Sequence, residues 1–169
     1  MINVRIETTG ALLSGQAPEI IQRNLDAAIV EITMFLWREI QSRTPQGVGG
    51  SQSGLHNAIK TQFIGKGTPV SKGIIFHSKP YGDVIEKGRT AGKGISEQGQ
   101  ESLAQWIRVK LGITDPKKLR QVTFLISRKI KAKGFEGAHM FEQAFKDNET
   151  RIDAIATRYG FAMVKELDA

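Results

Sequence analysis

The fold is organised around residues 79–90, which read KPYGDVIEKGRT. The turn-forming residues Pro80 and Gly82 precede the apolar pair Val84 and Ile85, and Gly88 follows that pair. The pattern predicts the end of a β-strand that turns into a short, half-buried segment at the corner of a small sheet. Gly-rich stretches at 45–54 and 88–99 flank this corner, and both are predicted to be mobile loops.

The chain before this corner combines strand and helix patterns. Residues 2–8 alternate apolar and polar side chains, which is typical of a half-buried strand. A long helix is predicted over 18–43, because apolar residues recur at helical spacing until Thr44-Pro45 disfavours further helix. Looser alternation over 59–63 and 70–76 then predicts a β-hairpin or meander with a long connecting loop.

The chain after the corner is predicted to be helical. Residues 100–133 read as two amphipathic helices, the first closed by Gly112 and the second opened by Asp115-Pro116. A further apolar stripe from Phe141 to Leu167 predicts one long C-terminal helix. The fold class is therefore α+β in a single domain, 1–169. It has a small antiparallel sheet packed against a long N-terminal helix and a long C-terminal helix, with an inserted helical pair at 100–133.

Composition restricts the chemistry that the chain can perform. Its 169 residues include no cysteine, which excludes disulfides, thiolate catalysis and Cys-based zinc sites. No secretory signal and no apolar run of bilayer-spanning length is visible, so we expect a cytosolic protein or a particle assembled in the cytosol. The net charge of +7 is concentrated in 100–134, which carries nine basic and two acidic residues, whereas 135–169 has a net charge of −3.

The catalytic and ligand-binding motifs that we considered are absent or incomplete. His56, His77 and His139 lack metal-ligand spacing, and the glycines of 88–94 do not match a phosphate-binding loop. Ser53 lies near His56 without a recognisable orienting acid. Asp83 and Glu86 resemble a general acid/base pair, but their basic flank favours salt-bridged or surface groups. We expect no catalytic residue, cofactor or metal.

The basic residues of the middle region offer contacts to an anionic partner. The candidates are Lys93, Lys117, Lys118 and Arg120. Lys117 and Lys118 occupy a predicted first helical turn, where cations are slightly unfavourable, which hints at a use. Trp106 and Phe124 are predicted to be core residues, so aromatic interleaving is not expected. A solvated charged face remains the simpler interpretation.

Four short motifs occur in an order that resembles a known family. They are Thr44-Pro45, Ser53-Gly54-Leu55-x-x-Ala58-Ile59, Tyr81-Gly82-x-x-x-Glu86-x-Gly88 and Met140-Phe141-x-x-Ala144. Together they are similar to the tail-completion proteins of tailed phages, which join head and tail at the neck. The resemblance spans about 18–150. The chain departs from the family pattern in having Ser53 for threonine, Arg89 inserted into Gly-Thr, a Gly-rich insertion after Pro45 and no Pro-Phe-Leu before the last helical region.

The resemblance implies structural work in a virion, assembled in the host cytoplasm, without catalysis or membrane contact. Copies would form a ring, six-fold in the family, that meets a head-completion or adaptor protein and the tail terminator or tail tube. The matching positions are the structural or interface candidates: Ser53, Gly54, Leu55, Tyr81, Glu86, Gly88, Arg89 and Phe141. Whether Tyr81 and Glu86 act between subunits or only within one stays open. The alternatives are a basic protein that binds nucleic acid non-specifically and a hydrolase that uses Asp83 or Glu86.

Overall fold

The computed structural model describes residues 15–47, 54–68 and 70–168. The strand predicted over 2–8 and most of the loop predicted over 45–54 lie outside these ranges. The elements in chain order are α1 (Ala17–Arg43), α2 (Leu55–Ala58), β1 (Ile59–Ile64), β2 (Lys72–His77), α3 (Gly82–Lys87), β3 (Gly88–Arg89), α4 (Glu97–Leu111), α5 (Pro116–Lys133), β4 (Phe135–Glu136), α6 (Met140–Lys146) and α7 (Glu149–Leu167).

The α+β fold class is confirmed, and the chain divides into two compact units. The first unit contains the described residues up to Arg38, the segment Thr61–Ile75 and the described residues from Phe145 onward. The second unit contains Glu39–Lys60 and Phe76–Ala144. Helix α1 and the hairpin β1–β2 contribute to both units. The single-domain assignment stays a prediction.

In the first unit, the hairpin approaches α1 very closely. A Cβ atom on Gly73 of β2 would lie 1.8 Å from Oγ1 of Thr33, which is only 5% exposed. Glycine at this position therefore lets the strand backbone contact the helix. Ala28 of α1 and Ile155 of α7 are the buried apolar side chains among the described residues of this unit, whereas Leu25 of α1 is exposed.

The second unit has the larger apolar interior. Its buried apolar side chains come from segments far apart in sequence and are Ile40, Leu55, Ala58, Ile59, Ile107, Leu119, Met140 and Ala144. Thr44, at the end of α1, donates its hydroxyl to the carbonyl of Ile40 at 2.7 Å and lies 3.2 Å from Sδ of Met140. The predicted end of the first helix at Thr44-Pro45 is thus confirmed, and the threonine that ends it is part of the core.

The inserted helical pair is confirmed together with its predicted ends. Gly112 terminates α4 in the left-handed conformation, with φ 66°. Asp115 caps α5 by accepting the backbone N–H of Lys118 at 2.7 Å, and Pro116 occupies the first helical position. Helix α4 begins at Glu97, earlier than predicted, because the hydroxyl of Ser96 accepts the N–H of Gly99.

Two predicted elements differ from the observed ones. A long C-terminal helix is confirmed as α7, but it begins only at Glu149. The predicted stripe from Phe141 is divided between α6 and α7 by a turn in which the N–H of Asn148 donates to the carbonyl of Phe145 at 3.1 Å. Aspartate and asparagine at 147–148 are poor helix-interior residues, since their side chains compete with the helical hydrogen bonds. As a result Phe145, predicted to lie on the apolar stripe, is 54% exposed.

The corner predicted at 79–90 is helical rather than a strand end. Residues 82–87 form α3, which begins with hydrogen bonds from Gly82 N–H to Lys79 carbonyl and from Ile85 N–H to Tyr81 carbonyl. Four to six residues are too few to distinguish helical from strand periodicity. The loop predicted over 88–99 is also shorter, because Gly88 and Arg89 form β3, and residues from 97 onward belong to α4.

Strands β3 and β4 form a second, two-stranded antiparallel sheet in which Gly88 pairs with Glu136 and Arg89 with Phe135. The backbones meet at glycine on each side. A Cβ on Gly88, which has φ 74°, would lie 2.4 Å from the carbonyl oxygen of Phe135, and one on Gly137 would lie 2.1 Å from that of Glu86. This pairing brings the segment after α3 against the segment before α6. Within the described residues, no helix is long and apolar enough to cross a bilayer.

The close approach at Gly137 predicts opposite effects for two Gly→Ala substitutions. Gly137→Ala is expected to lower the free energy of unfolding by about 1–3 kcal/mol, since the new methyl must displace backbone. Gly160→Ala in α7 meets nothing within 4 Å and is expected to raise it by up to about 1 kcal/mol, through better helix propensity. Urea denaturation followed by circular dichroism measures both. Equal effects of the two substitutions would contradict the close approach.

Candidate functional site

The central feature of the second unit is the carboxylate of Glu86, which caps helix α6. Its Oε1 and Oε2 atoms each accept the backbone N–H of Phe141 at 3.2 Å, and Oε1 also lies 3.3 Å from the N–H of Glu142. The first N–H groups of a helix have no partner within the helix, and their partial positive charge favours an anion. Glu86 therefore satisfies groups that would otherwise have no acceptor.

Backbone hydrogen bonds hold the same two segments together. The N–H of Ala138 donates to the carbonyl of Ile85 at 2.7 Å, and the N–H of His139 donates to the carbonyl of Glu86 at 3.0 Å. His139 has a positive φ of 46°, which is uncommon outside glycine. With the β3–β4 pairing, these bonds fix the backbone that leads into α6. We call residues 77–89 and 135–142 together the corner.

Aromatic and histidine side chains complete the corner. The rings of His77 and Phe141 meet edge to face, with centroids 6.2 Å apart. Nδ1 of His77 lies 3.0 Å from the carbonyl oxygen of Lys79. Tyr81 is 44% exposed, and burial of its phenol raises its pKa. The phenol oxygen lies 3.9 Å from where a Cβ on Gly54 would be.

The structure thus brings together residues from three of the motifs quoted above. Gly54, with φ 77°, Tyr81, Glu86 and Phe141 belong to or border the corner. Gly88 and Arg89 form β3, and Leu55 is a buried core residue. Ser53 lies outside the described residues. The grouping could not be read from the sequence, because the capping contact joins residues 55 positions apart.

The carboxylates of Asp83 and Glu86 have different partners. Asp83 is exposed and its Oδ1 lies 3.4 Å from Nε2 of His77, while Glu86 is engaged by the amides of α6. The arrangement therefore does not resemble a general acid/base pair. Among the described residues, no group of three or more histidine, aspartate and glutamate side chains could hold a metal ion. Nδ1 of His56 is buried and makes no hydrogen bond with any residue that the structure describes, and His139 contacts Glu142 at 3.1 Å.

The first unit contains an open groove of about 1130 Å³ lined by α1, α7 and the hairpin turn. Both basic and acidic side chains line it. Its ionisable residues are Glu19, Arg23, Asp26, Glu31, Arg38, Lys66, Arg151 and Tyr159. This balance of charge favours no particular class of ligand.

Two carboxylates of this groove hold neighbouring segments, and neither was identified from the sequence. Asp26 accepts the N–H of Gly67 at 2.8 Å, Nε2 of Gln22 at 3.1 Å and the hydroxyl of Ser71. The hydrogen bond from Ser71 is the main reason that the pKa of Asp26 is lowered. Asp26 thereby ties the hairpin turn to α1.

Glu31 ties α1 to α7 in a similar way. It accepts hydrogen bonds from the guanidinium of Arg158 and, at 2.9 Å, from the phenol of Tyr159. The bond from Arg158 holds the pKa of Glu31 below its ordinary value, and the phenol's bond to Glu31 raises the pKa of Tyr159. Arg158 also lies over the ring of Tyr159, 5.1 Å from its centroid.

A second cleft, of about 650 Å³, lies in the second unit along α4 and α5. Its ionisable residues are all basic: Arg108, Arg120, Arg128 and Lys131. Of the four contacts proposed from the sequence, only Arg120 lines it. Lys93, Lys117 and Lys118 are exposed and lie elsewhere on the surface. The expectation that Phe124 and Trp106 are core residues is wrong, since they are 64% and 38% exposed, and Phe124 lines the cleft.

Comparisons with known proteins find no matching family model, no matching curated protein and no matching solved structure.

The cap predicts a graded effect of substituting Glu86. Glu86→Ala is expected to lower the free energy of unfolding by about 0.5–2 kcal/mol, as for other removed helix caps. Glu86→Gln is expected to cost less, because an amide oxygen still accepts one N–H. Glu101→Ala, at an exposed position in α4, is the control and should change stability by less than about 0.5 kcal/mol. An Ala variant no less stable than this control would contradict the cap.

The lowered pKa of Asp26 predicts a stabilisation that depends on pH. A carboxyl whose pKa is lower in the folded state stabilises fully above its unfolded pKa, ordinarily 3.8, and loses this effect as pH falls through the folded value. Asp26→Asn should therefore lower the denaturation midpoint at about pH 6, and the difference from wild type should shrink below about pH 4. Asp153→Asn, at an exposed position in α7, is the control. A difference that stays constant down to about pH 2.5 would contradict the assignment.

Proposed function

We propose that this chain is a structural protein of the phage neck, which completes the tail and joins it to the head as part of a ring. The observation that carries the proposal is the corner. The family-like motifs at Gly54, Tyr81–Gly88 and Phe141 are separate in sequence, yet Glu86 caps the helix that contains Phe141, and the phenol of Tyr81 lies beside Gly54. Motifs that mark a shared architecture are expected to lie at residues that hold one another in place.

Exposed apolar side chains also support an assembling protein. In the first unit they lie on the hairpin and on α7, where Val70 is 64%, Phe161 73% and Val164 54% exposed. Large apolar side chains that cluster at a surface mark protein contacts. A closed ring requires a heterologous interface, in which two different surfaces of each subunit meet, and the exposed apolar side chains of α7 offer one of them.

In this proposal the partners are copies of the same chain, a head-completion or adaptor protein, and the tail terminator or tail tube. The role is structural rather than catalytic, and Asp83 and Glu86 serve the fold. Localisation is the neck of the virion, with assembly in the host cytoplasm. A six-fold ring is the symmetry that the resemblance implies.

Electron microscopy and light scattering of the purified protein, alone and with tail tubes and filled heads, test this function. We expect closed rings, or rings that form on the tube end, and head–tail joining that depends on the protein. Phe161→Glu should weaken the assembly, whereas Ala156→Glu, which adds the same charge on another face of α7, should weaken it less. A strict monomer that joins neither heads nor tails would exclude the proposal.

A further inference from the structure

The cleft along α4 and α5 stands out because its charges are not compensated. Its four basic side chains form no ion pair with any described residue, and no carboxylate lines it. Uncompensated cations that converge on a concave surface focus a positive potential and attract anions. The groove of the first unit, with its mixed and partly paired charges, has no such bias.

The basic side chains occupy two levels along the cleft. Helix α4 ends at Leu111 and α5 begins at Pro116, so Arg108 and Arg120 lie close to the turn between the helices. Arg128 and Lys131 follow eight and eleven residues after Arg120, which is about 12–16 Å along a helix. Such a spacing suits several phosphates of an extended chain better than a single small anion.

An exposed aromatic ring lies between the two levels. Phe124 follows Arg120 by four residues and precedes Arg128 by four, so the three share one face of α5. Its side chain lines the cleft and is 64% exposed. Cations that track a backbone, interrupted by an aromatic ring on which a base can stack, are the features that bind single-stranded nucleic acid.

The cleft also presents neutral polar groups. Gln100 and Ser127 line it, and the buried hydroxyl of Ser127 makes no hydrogen bond with the described residues. An acidic protein segment would match the charge too, but cations at two levels with a ring for stacking between them favour a nucleic-acid strand.

We propose that the α4–α5 cleft binds a strand of nucleic acid. Arg108, Arg120, Arg128 and Lys131 contact phosphates, and Phe124 stacks on a base. Phosphate contacts supply affinity without sequence preference, and the aromatic ring favours single strands over duplex. This inference does not depend on the role in the phage neck, although a DNA-conducting assembly would give the site a use.

The test is fluorescence anisotropy of the full chain with a labelled twelve-nucleotide thymidine strand at about 50 mM salt. Four phosphate contacts predict a slope of log K against log salt of about −2.8. Arg120→Gln with Arg128→Gln should reduce its magnitude by about 1.4. Phe124→Ala should weaken binding about fivefold or more without changing the slope, and should leave duplex binding unchanged.

The matched control is Lys129→Gln with Lys133→Gln, which removes the same charge from the same helix outside the cleft. It should weaken binding less than the cleft double variant does. Thermal unfolding shows whether each variant is folded. Because the side chain of Phe124 is exposed, Phe124→Ala is expected to leave the unfolding temperature nearly unchanged. Two results would overturn the proposal. In one, the strand does not bind at about 50 mM salt; in the other, the two double variants lose the same amount of affinity. Equal competition by poly-glutamate also overturns it, because the cleft would then be a site for acidic protein segments.

Discussion

The capping of helix α6 by Glu86 is the contact on which the second unit depends. It joins residues 55 positions apart and directs the chain into α6, which places Met140 and Ala144 in the core, where neither is accessible to solvent. A cap contributes about 1 kcal/mol, whereas full burial of a methionine side chain contributes about 1.5–3 kcal/mol. Burial thus supplies more of the stability, and the cap determines where that burial occurs.

The backbone around the cap leaves no space for side chains. The atoms that a Cβ would meet at Gly88 and Gly137 are backbone atoms of the opposing segment, which cannot move as a flexible side chain can. The corner is therefore held by hydrogen bonds and by the lack of side chains at its closest approach. Of the two carboxylates in this stretch, Glu86 is engaged by the N–H groups of α6, whereas Asp83 is exposed and contacts only His77 among the described residues.

The two units use charge in different ways. In the first, Asp26 and Glu31 accept hydrogen bonds from other segments and hold the hairpin turn and α7 to α1. In the second, no acidic side chain among the described residues lines the α4–α5 cleft. Ionic groups that bond to one another within the fold stabilise it, whereas cations without an ionic partner at a concave surface are available to bind an anionic partner. The proposed neck role and the proposed nucleic-acid site are both consistent with this division.

Local sequence determined the α+β class, the first helix, the hairpin and the ends of the inserted helical pair. Those features depend on proline, glycine and capping residues, which act over only a few positions. The tertiary structure decided that the carboxylate of Glu86 caps α6 and that Asp26 anchors the hairpin turn. It also decided that Phe124, which has core-like spacing in the sequence, lies exposed in a basic cleft. These outcomes depend on contacts between residues as many as 55 positions apart in the sequence. A periodic pattern indicates that a helix has an apolar face, but it does not indicate what covers that face.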